Sequence, residues 1–169
     1  MKTRKIVYLA LLTSIGLALH ILEAQMPNPF IGIAPGAKLG LANIIGLITL
    51  TIFGFKCALT VNLLRCVIGG LATGAITSMF YSVSGALVST TLMWLIYKYY
   101  SKYFSLVGVS VFGALGHNIA QLFVAATIIN NPKIFVYLPI MTLTSIFTGV
   151  FIGITANYTV TKTNYIVKI

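Results

Sequence analysis

Long apolar runs separated by short polar breaks dominate the pattern of this chain. Most runs are about as long as the roughly 20 mostly apolar residues that a helix needs to cross a bilayer. The clearest break is the NNPK sequence at residues 130–133, which is typical of a turn. The pattern predicts six transmembrane helices, over Lys5–Ala24, Leu39–Phe55, Cys57–Phe80, Val83–Tyr100, Phe104–Asn130 and Ile134–Val160.

The segment between the first two predicted helices has a different character from the rest of the chain. Pro27, Pro29 and Pro35 remove backbone N–H donors and disfavour helical geometry in the residues that precede them. Lipid cannot satisfy the backbone groups of such a segment. We therefore expect a proline- and glycine-rich loop that lies at the water interface or folds back over protein, and that carries the charge of Lys38.

The composition fits an all-α, polytopic membrane protein with a single domain over residues 1–169. Apolar residues make up 59% of the chain and charged residues 7%, whereas a soluble domain carries about a quarter charged residues. A net charge of +10 would suggest nucleic acid binding in a soluble protein. Here the cations lie mostly between the apolar runs, so we expect them to set the topology and meet anionic lipid headgroups, with no nucleic-acid partner.

The distribution of cations predicts that both termini lie in the cytoplasm. Six helices place the termini on one side with eight cations, whereas Lys38 and Lys133 fall on the other side. The positive-inside rule assigns the richer side to the cytoplasm, so we expect a plasma-membrane protein whose first apolar run is retained. The eight cations are Lys2, Arg4, Lys5, Lys56, Lys98, Lys102, Lys162 and Lys168.

Polar side chains are rare within the predicted helices, which makes each of them a candidate for function. Arg65 lies near the middle of the third helix, where burial costs at least about 2.5 kcal/mol, so it should face a cavity or a partner. Three roles stay open: it binds an anion in a pocket, it pairs with Glu23, or it snorkels to an interface. Asn62 shares its face. Glu23, the only acid, contacts substrate or neutralises Lys38 or Arg65.

A second polar cluster lies on the fifth predicted helix. His117 and Gln121 are four residues apart and share a face, with Asn118 beside them. These side chains either line a cavity or make hydrogen bonds between helices, and both interpretations are open. No ligand spacing supports a metal site between His117 and His20, so we expect neither a metal nor a cofactor.

Small residues recur at four-residue spacing on three helices, a pattern that allows helices to approach closely. The glycine pairs are expected to pack inside the bundle, whereas the stripe on the first helix either packs internally or docks a partner membrane subunit. The stripes are Ala10, Ser14 and Ala18 on the first helix, Gly70 and Gly74 on the third, and Gly149 and Gly153 on the sixth.

The chain lacks the residues of several kinds of active site. It has no aspartate and one glutamate, so it cannot supply a paired acid and base, a Ser-His-Asp triad or a multi-aspartate magnesium site. It also lacks the G-x-x-x-x-G-K-[ST] motif that cradles ATP phosphates. We expect no catalytic residues, and a protein that binds a solute but needs a partner to power its movement.

Three short runs carry a resemblance to a known family. The run PGAKLGLAN at residues 35–43 resembles the heptaprenyl diphosphate synthase component I family, also called the Gx transporter family. The runs NLLR at residues 62–65 and GHNxxQ at residues 116–121 look like the same family. Its architecture is similar to that of the S components of energy-coupling factor transporters, which are six-helix proteins that bind a vitamin or a related precursor.

The resemblance implies a substrate-binding component of an ATP-driven importer for a small vitamin-like solute or an isoprenoid or quinone precursor. Its partners would be a transmembrane coupling subunit and two ATPase subunits. The stripe of the first helix would dock the coupling subunit, and the loop from Pro27 to Lys38 would close over the ligand. The substrate-binding residues would be Glu23, Lys38, Asn43, Asn62, Arg65, His117, Asn118 and Gln121.

Two other functions stay open at this point. The family label favours a membrane subunit of a prenyl diphosphate synthase. Prenyl diphosphate synthases are aspartate-rich helical proteins that hold magnesium, and this chain does not resemble them because it has no aspartate. We therefore expect the chain not to be an enzyme itself. The third function is a non-transporting membrane scaffold, in which the polar groups are purely structural.

Overall fold

The computed structural model describes residues 2–25, 40–74 and 76–166, which form six α-helices, a short 3₁₀ helix and no strand. The predicted all-α membrane bundle is therefore confirmed, while the loop from Pro27 to Lys38 lies outside the described residues. Helices α1 to α6 span Lys2–Gln25, Asn43–Phe53, Phe55–Ala72, Ile76–Tyr99, Leu106–Ile129 and Leu138–Ile166, and the 3₁₀ helix spans Pro132–Tyr137.

Five of the described helical segments are long and apolar enough to cross a membrane, so the chain is a multi-pass membrane protein. Helix α2 is shorter than the predicted segment over Leu39–Phe55. It has 11 residues and, at about 1.5 Å per residue, covers roughly half of the hydrocarbon core. It begins after a turn at Gly40, which has a φ of +74° and accepts a hydrogen bond from Asn43 N at 2.8 Å.

Helix α2 lies at the centre of the bundle. All of its residues from Asn43 to Leu50 are buried, because α1, α3, α4 and α6 pack around it. A helix that is apolar on all sides is stable only when it is surrounded in this way. Polar side chains that contact α2 therefore lie inside the protein and not in lipid.

Helices α2 and α3 form an antiparallel hairpin with its turn at Gly54. The φ of Gly54 is +83°, a conformation that glycine adopts without steric cost. Gly46 packs against Asn62, and Asn43 bonds to Arg65, so each pair lies symmetrically about Gly54 in the sequence. The predicted break at residues 55–56 is thus correct to within two residues.

The predicted end of the third helix at Phe80 is wrong. Helix α3 ends at Ala72 and α4 begins at Ile76. Gly74 marks the break with a φ of +68°, and no described atom lies within 4 Å of the place where its Cβ would be. Gly74 therefore belongs to a turn, and only Gly70 of the predicted pair packs against α4. Apolar residues continue across this turn, which is why the hydropathy pattern missed it.

The glycine pair of α6 has the predicted packing role. A Cβ on Gly149 would come within 2.6 Å of Val111 Cα, and one on Gly153 within 2.5 Å of Val107 Cα. These contacts are with the backbone of α5, which cannot move aside as a side chain can. The two helices therefore approach closely only because both positions are glycine.

Cations gather at one end of the bundle. Lys5 Nζ lies 6.0 Å from the ring of Phe53, and Lys98 Nζ lies 5.0 Å from the ring of Trp94, which contacts Phe55 at 4.8 Å. The start of α1, the turn of the hairpin and the end of α4 therefore share one end, which we call the basic end. Its described cations are Arg4, Lys5, Lys56, Lys98, Lys102 and Lys162.

Candidate functional site

Arg65 lies inside the bundle, where its side chain is 3% exposed. Its Nη2 donates a hydrogen bond to Asn43 Oδ1 over 2.9 Å. Gly16 of α1 leaves room for this side chain, since a Cβ there would lie 3.2 Å from Arg65 Cδ. The burial of Arg65 excludes snorkelling, and Asn43 is one hydrogen-bond partner of its guanidinium.

The guanidinium of Arg65 has unused hydrogen-bonding capacity. Its Nε is buried, and within residues 2–25, 40–74 and 76–166 no hydrogen-bond partner is found for it. A buried donor without a partner costs about 1–3 kcal/mol, and more when it is charged. Guanidinium groups bind carboxylate and phosphate through parallel N–H groups. The arrangement is therefore suited chemically to an anionic group.

Two polar side chains of α1 continue this site away from the basic end. His20 is buried against Gly69, where a Cβ would lie 2.6 Å from His20 Cδ2. Glu23 Oε1 accepts a hydrogen bond from Gly40 N. The contacts of Gly16 with Arg65 and of His20 with Gly69 are four residues apart on both helices, so α1 and α3 run in the same direction. The carboxylate thus ties the end of α1 to the turn that precedes α2.

Asn62 lies one turn from Arg65 towards the basic end and is 1% exposed. Its Nδ2 donates a hydrogen bond to Thr90 Oγ1 over 2.8 Å, which links α3 to α4. Its Oδ1 is buried, and no partner for it is found among the described residues. Asn62 therefore has a structural contact and one acceptor that the described protein leaves unused.

The polar cluster of α5 divides between two neighbouring helices. Asn118 Nδ2 donates hydrogen bonds to Ser145 Oγ over 2.7 Å and to Met141 O over 3.2 Å, so Asn118 binds α6. His117 packs instead on α4, where a Cβ on Gly85 would lie 2.6 Å from its Cε1. The alternative of hydrogen bonds between helices is therefore correct for Asn118.

The candidate residues belong to two sets of helices. Asn43, Asn62, Arg65 and Glu23 belong to α1, α2 and α3, whereas the three polar side chains are on α5, which packs mainly on α4 and α6. Gln121 of that second group is 5% exposed, and its Oε1 has no partner among the described residues. Lys38 lies outside the described residues. That these residues share one binding site stays a prediction.

The sequence of the chain matches a known protein family. The sequence pattern of the family described as heptaprenyl diphosphate synthase component I matches residues 12–159. The chain belongs to this family. The matched range contains both polar groups, from Glu23 to Gln121. Comparison with curated proteins and with solved structures finds no match.

Four glycines of this component I family member make room for polar side chains that are buried or half-buried, a role that the sequence did not indicate. Each glycine lies on a helix next to that of the polar residue, where a Cβ would contact the side chain. Thr90 and Ser145 were also missed, because serine and threonine are common in apolar helices. The pairs are Gly16 with Arg65, Gly46 with Asn62, Gly69 with His20, and Gly85 with His117.

The small-residue stripe of α1 faces away from the bundle. Ala10, Ser14 and Ala18 are all exposed, and Ser14 Oγ donates a hydrogen bond to Ala10 O of its own helix. Internal packing of this stripe is therefore wrong, and the stripe is open to a partner. Among the described residues, no group of three or more His, Cys, Asp or Glu side chains is placed to hold a metal ion.

Proposed function

We propose that this component I family member is the substrate-binding membrane component of an ATP-driven importer of the energy-coupling factor type. One observation carries the proposal: Arg65 is a buried cation at membrane depth whose Nε has no partner in the described part of the chain. A buried cation without an anionic partner lowers the stability of the folded protein. A small solute with a carboxylate or phosphate, such as a vitamin-like compound or an isoprenoid or quinone precursor, would offset that cost.

The two polar groups would have different roles in this function. Arg65 would hold the anionic group of the solute, and the unused Oδ1 of Asn62 would accept a hydrogen bond from a neutral N–H or O–H group of the solute. Asn43, Glu23 and Lys38 would be the other substrate-binding residues of this group. His117 and Gln121 of α5 would orient the remainder of the solute. Asn118 already bonds to α6, so its part would be to position α5.

The proposed importer needs partners, because the chain has no nucleotide-binding motif and one carboxylate. The exposed stripe on α1 favours docking of a transmembrane coupling subunit, since small residues let helices pack closely. Two ATPase subunits would supply the energy, so the chain would bind solute without being an enzyme. We place it in the cell membrane with the basic end and both termini in the cytoplasm.

The binding site is tested by mass spectrometry of small molecules that the detergent-purified protein retains. Binding of the retained anion is then measured for the wild type and for Arg65→Ala. We expect affinity to fall about tenfold or more, as loss of a hydrogen bond to a charged group predicts. Arg4→Ala removes the other arginine, which is exposed at the basic end, and should leave affinity unchanged. Unchanged binding by Arg65→Ala would exclude Arg65 from the site.

The partner is tested by copurification from the native membrane. Ala10→Leu and Ala18→Leu should reduce recovery of a coupling subunit, because bulky side chains prevent close approach of helices. Leu11→Ala and Ile15→Ala change exposed positions of the same helix without adding bulk, and they should retain the partner. Transport by the chain alone in liposomes would contradict the proposal.

The description of the family favours a second candidate, a membrane subunit of heptaprenyl diphosphate synthase. Under this alternative, product formation needs the chain together with a soluble, aspartate-rich catalytic subunit. The test compares synthase activity of the soluble subunit with and without this chain in vesicles. Full activity without the chain would reject this alternative.

A further inference from the structure

A depression of about 300 Å³ lies at the basic end, between the turn of the α2–α3 hairpin and the last turns of α4. Leu50, Phe55 and Trp94 supply apolar side chains to its lining. Lys98 also lines it and is exposed. The depression therefore combines an apolar, aromatic surface with a cation at the edge of the membrane-spanning helices.

The lysine of this depression is held by aromatic rings. Lys98 Nζ lies 5.0 Å from the ring centroid of Trp94 and 5.2 Å from that of Tyr99. Trp94 in turn contacts Phe55 across the depression, with ring centroids 4.8 Å apart. These contacts limit the freedom of the ammonium group, so an anion that binds it loses less entropy than it would on a free lysine side chain.

The electrostatic surroundings of the depression favour an anion. Arg4, Lys5, Lys56 and Lys102 lie at the same end of the bundle. The only acid of the chain is Glu23, which is 18 residues after Lys5 in α1 and therefore about 27 Å away along the helix. No carboxylate of the described residues competes for Lys98.

We propose that this depression binds an anionic phospholipid, with the phosphate on Lys98 and an acyl chain on the exposed parts of Phe55 and Trp94. Its apolar lining distinguishes a lipid from a free anion, which would gain nothing from it. Tryptophan and tyrosine favour the headgroup level of a bilayer, which is where this site lies if α4 spans it. The proposal involves none of the residues of the buried polar groups, so its test does not depend on whether the protein is part of an importer.

The chain offers a direct probe, because Trp94 is its only tryptophan. The full chain is reconstituted in phosphatidylcholine vesicles that contain a fixed fraction of lipid with brominated acyl chains, which quench tryptophan fluorescence on contact. The brominated lipid is either phosphatidylglycerol or phosphatidylcholine. We expect phosphatidylglycerol to be enriched around Trp94 about fivefold over its bulk fraction, the preference that one lysine near anionic headgroups supplies.

Lysine variants test the contact. Lys98→Gln should lower the enrichment well below that of the wild type, although the other cations of the basic end keep it above one, and Lys98→Arg should restore it. Lys133→Gln removes a cation from the 3₁₀ helix at the opposite end and should leave the enrichment unchanged. Because each variant is compared between the two brominated lipids, a change in the intrinsic fluorescence of Trp94 cancels.

Three outcomes would overturn the proposal. Equal quenching by the two brominated lipids would show that the site has no preference for an anionic headgroup. Unchanged enrichment in Lys98→Gln would remove the lysine from the site. Complete loss of enrichment with 10-fold excess of inorganic phosphate at constant ionic strength would identify a site for free anions.

Discussion

At the scale of single residues, buried polar side chains are accommodated by glycines on the neighbouring helix. Asn62 shows the principle: its amide fills the space that Gly46 leaves and bonds to Thr90 on α4. A membrane helix has no water with which to satisfy such a group, so both the space and the partner come from protein. The position of a glycine therefore decides where a polar side chain can be buried.

Gly46→Ala tests this relation. A Cβ at this position would overlap the amide of Asn62, so the amide must turn away and lose the bond to Thr90. We expect the free energy of unfolding to fall by about 1–3 kcal/mol, the usual cost of overpacking a core. The measurement is thermal unfolding in detergent, followed by circular dichroism.

Gly108→Ala is the matched control for that substitution. Its nearest neighbour would be the ring of Phe104, which is 38% exposed and makes no hydrogen bond that a shift could break. Stability should stay constant or rise, since alanine favours a helix by up to about 1 kcal/mol over glycine. Equal effects of the two substitutions would show that contact with Asn62 carries no special cost.

At the scale of elements, α5 and α6 are held together by two different kinds of contact. Gly149 and Gly153 allow the two backbones to approach, and Asn118 and Ser145 then form a hydrogen bond across the interface. The bond requires the approach, because its donor and acceptor are both short side chains. The two helices therefore form a closely packed pair, and this packing positions the rest of α5.

A double-mutant cycle of Asn118→Ala and Ser145→Ala measures this hydrogen bond. We expect a coupling energy of about 0.6 kcal/mol and at most about 1.7 kcal/mol, the range for such bonds within membranes. Unfolding in a detergent–denaturant titration provides the four stabilities. As a comparison, Asn118→Ala and Thr91→Ala should be additive, since Thr91 is exposed and bonds within its own helix. A coupling of zero for the first pair would contradict the structural role of Asn118.

At the scale of the whole molecule, the chain has two chemically different ends. The described cations lie mostly at the basic end, whereas Lys133 and Glu23 lie towards the opposite end. Helix α2 connects the two environments, since it starts near Arg65 in the middle of the bundle and ends at the basic end. The molecule therefore presents a strongly positive surface on one side of the membrane.

The orientation of these ends is tested by labelling single cysteines with a membrane-impermeant maleimide. In a chain with Cys57→Ala and Cys66→Ser, Lys133→Cys should react in intact cells. Lys102→Cys should react only after the membrane is made permeable, because positive loops remain in the cytoplasm. Reaction of both positions, or of Lys102→Cys alone, in intact cells would contradict the proposed topology.

The sequence by itself determined the class of the molecule, the presence of six helices and the end shared by most of its described cations. These properties depend on hydropathy and charge summed over windows of about 20 residues, so no single contact alters them. The absence of aspartate and the presence of one glutamate likewise follow from the sequence alone. The family resemblance carried by short runs was confirmed over residues 12–159.

Only the tertiary structure decided how those helices meet. It placed α2 at the centre, moved the α3–α4 turn to Gly74, and turned the stripe of α1 outwards. It also gave Arg65 the amide of Asn43 as a partner and bonded Asn118 of α5 to Ser145 of α6. Each of these facts depends on which helix lies beside which. A hydropathy pattern treats apolar side chains as equivalent, whereas their packing depends on the shape of each side chain.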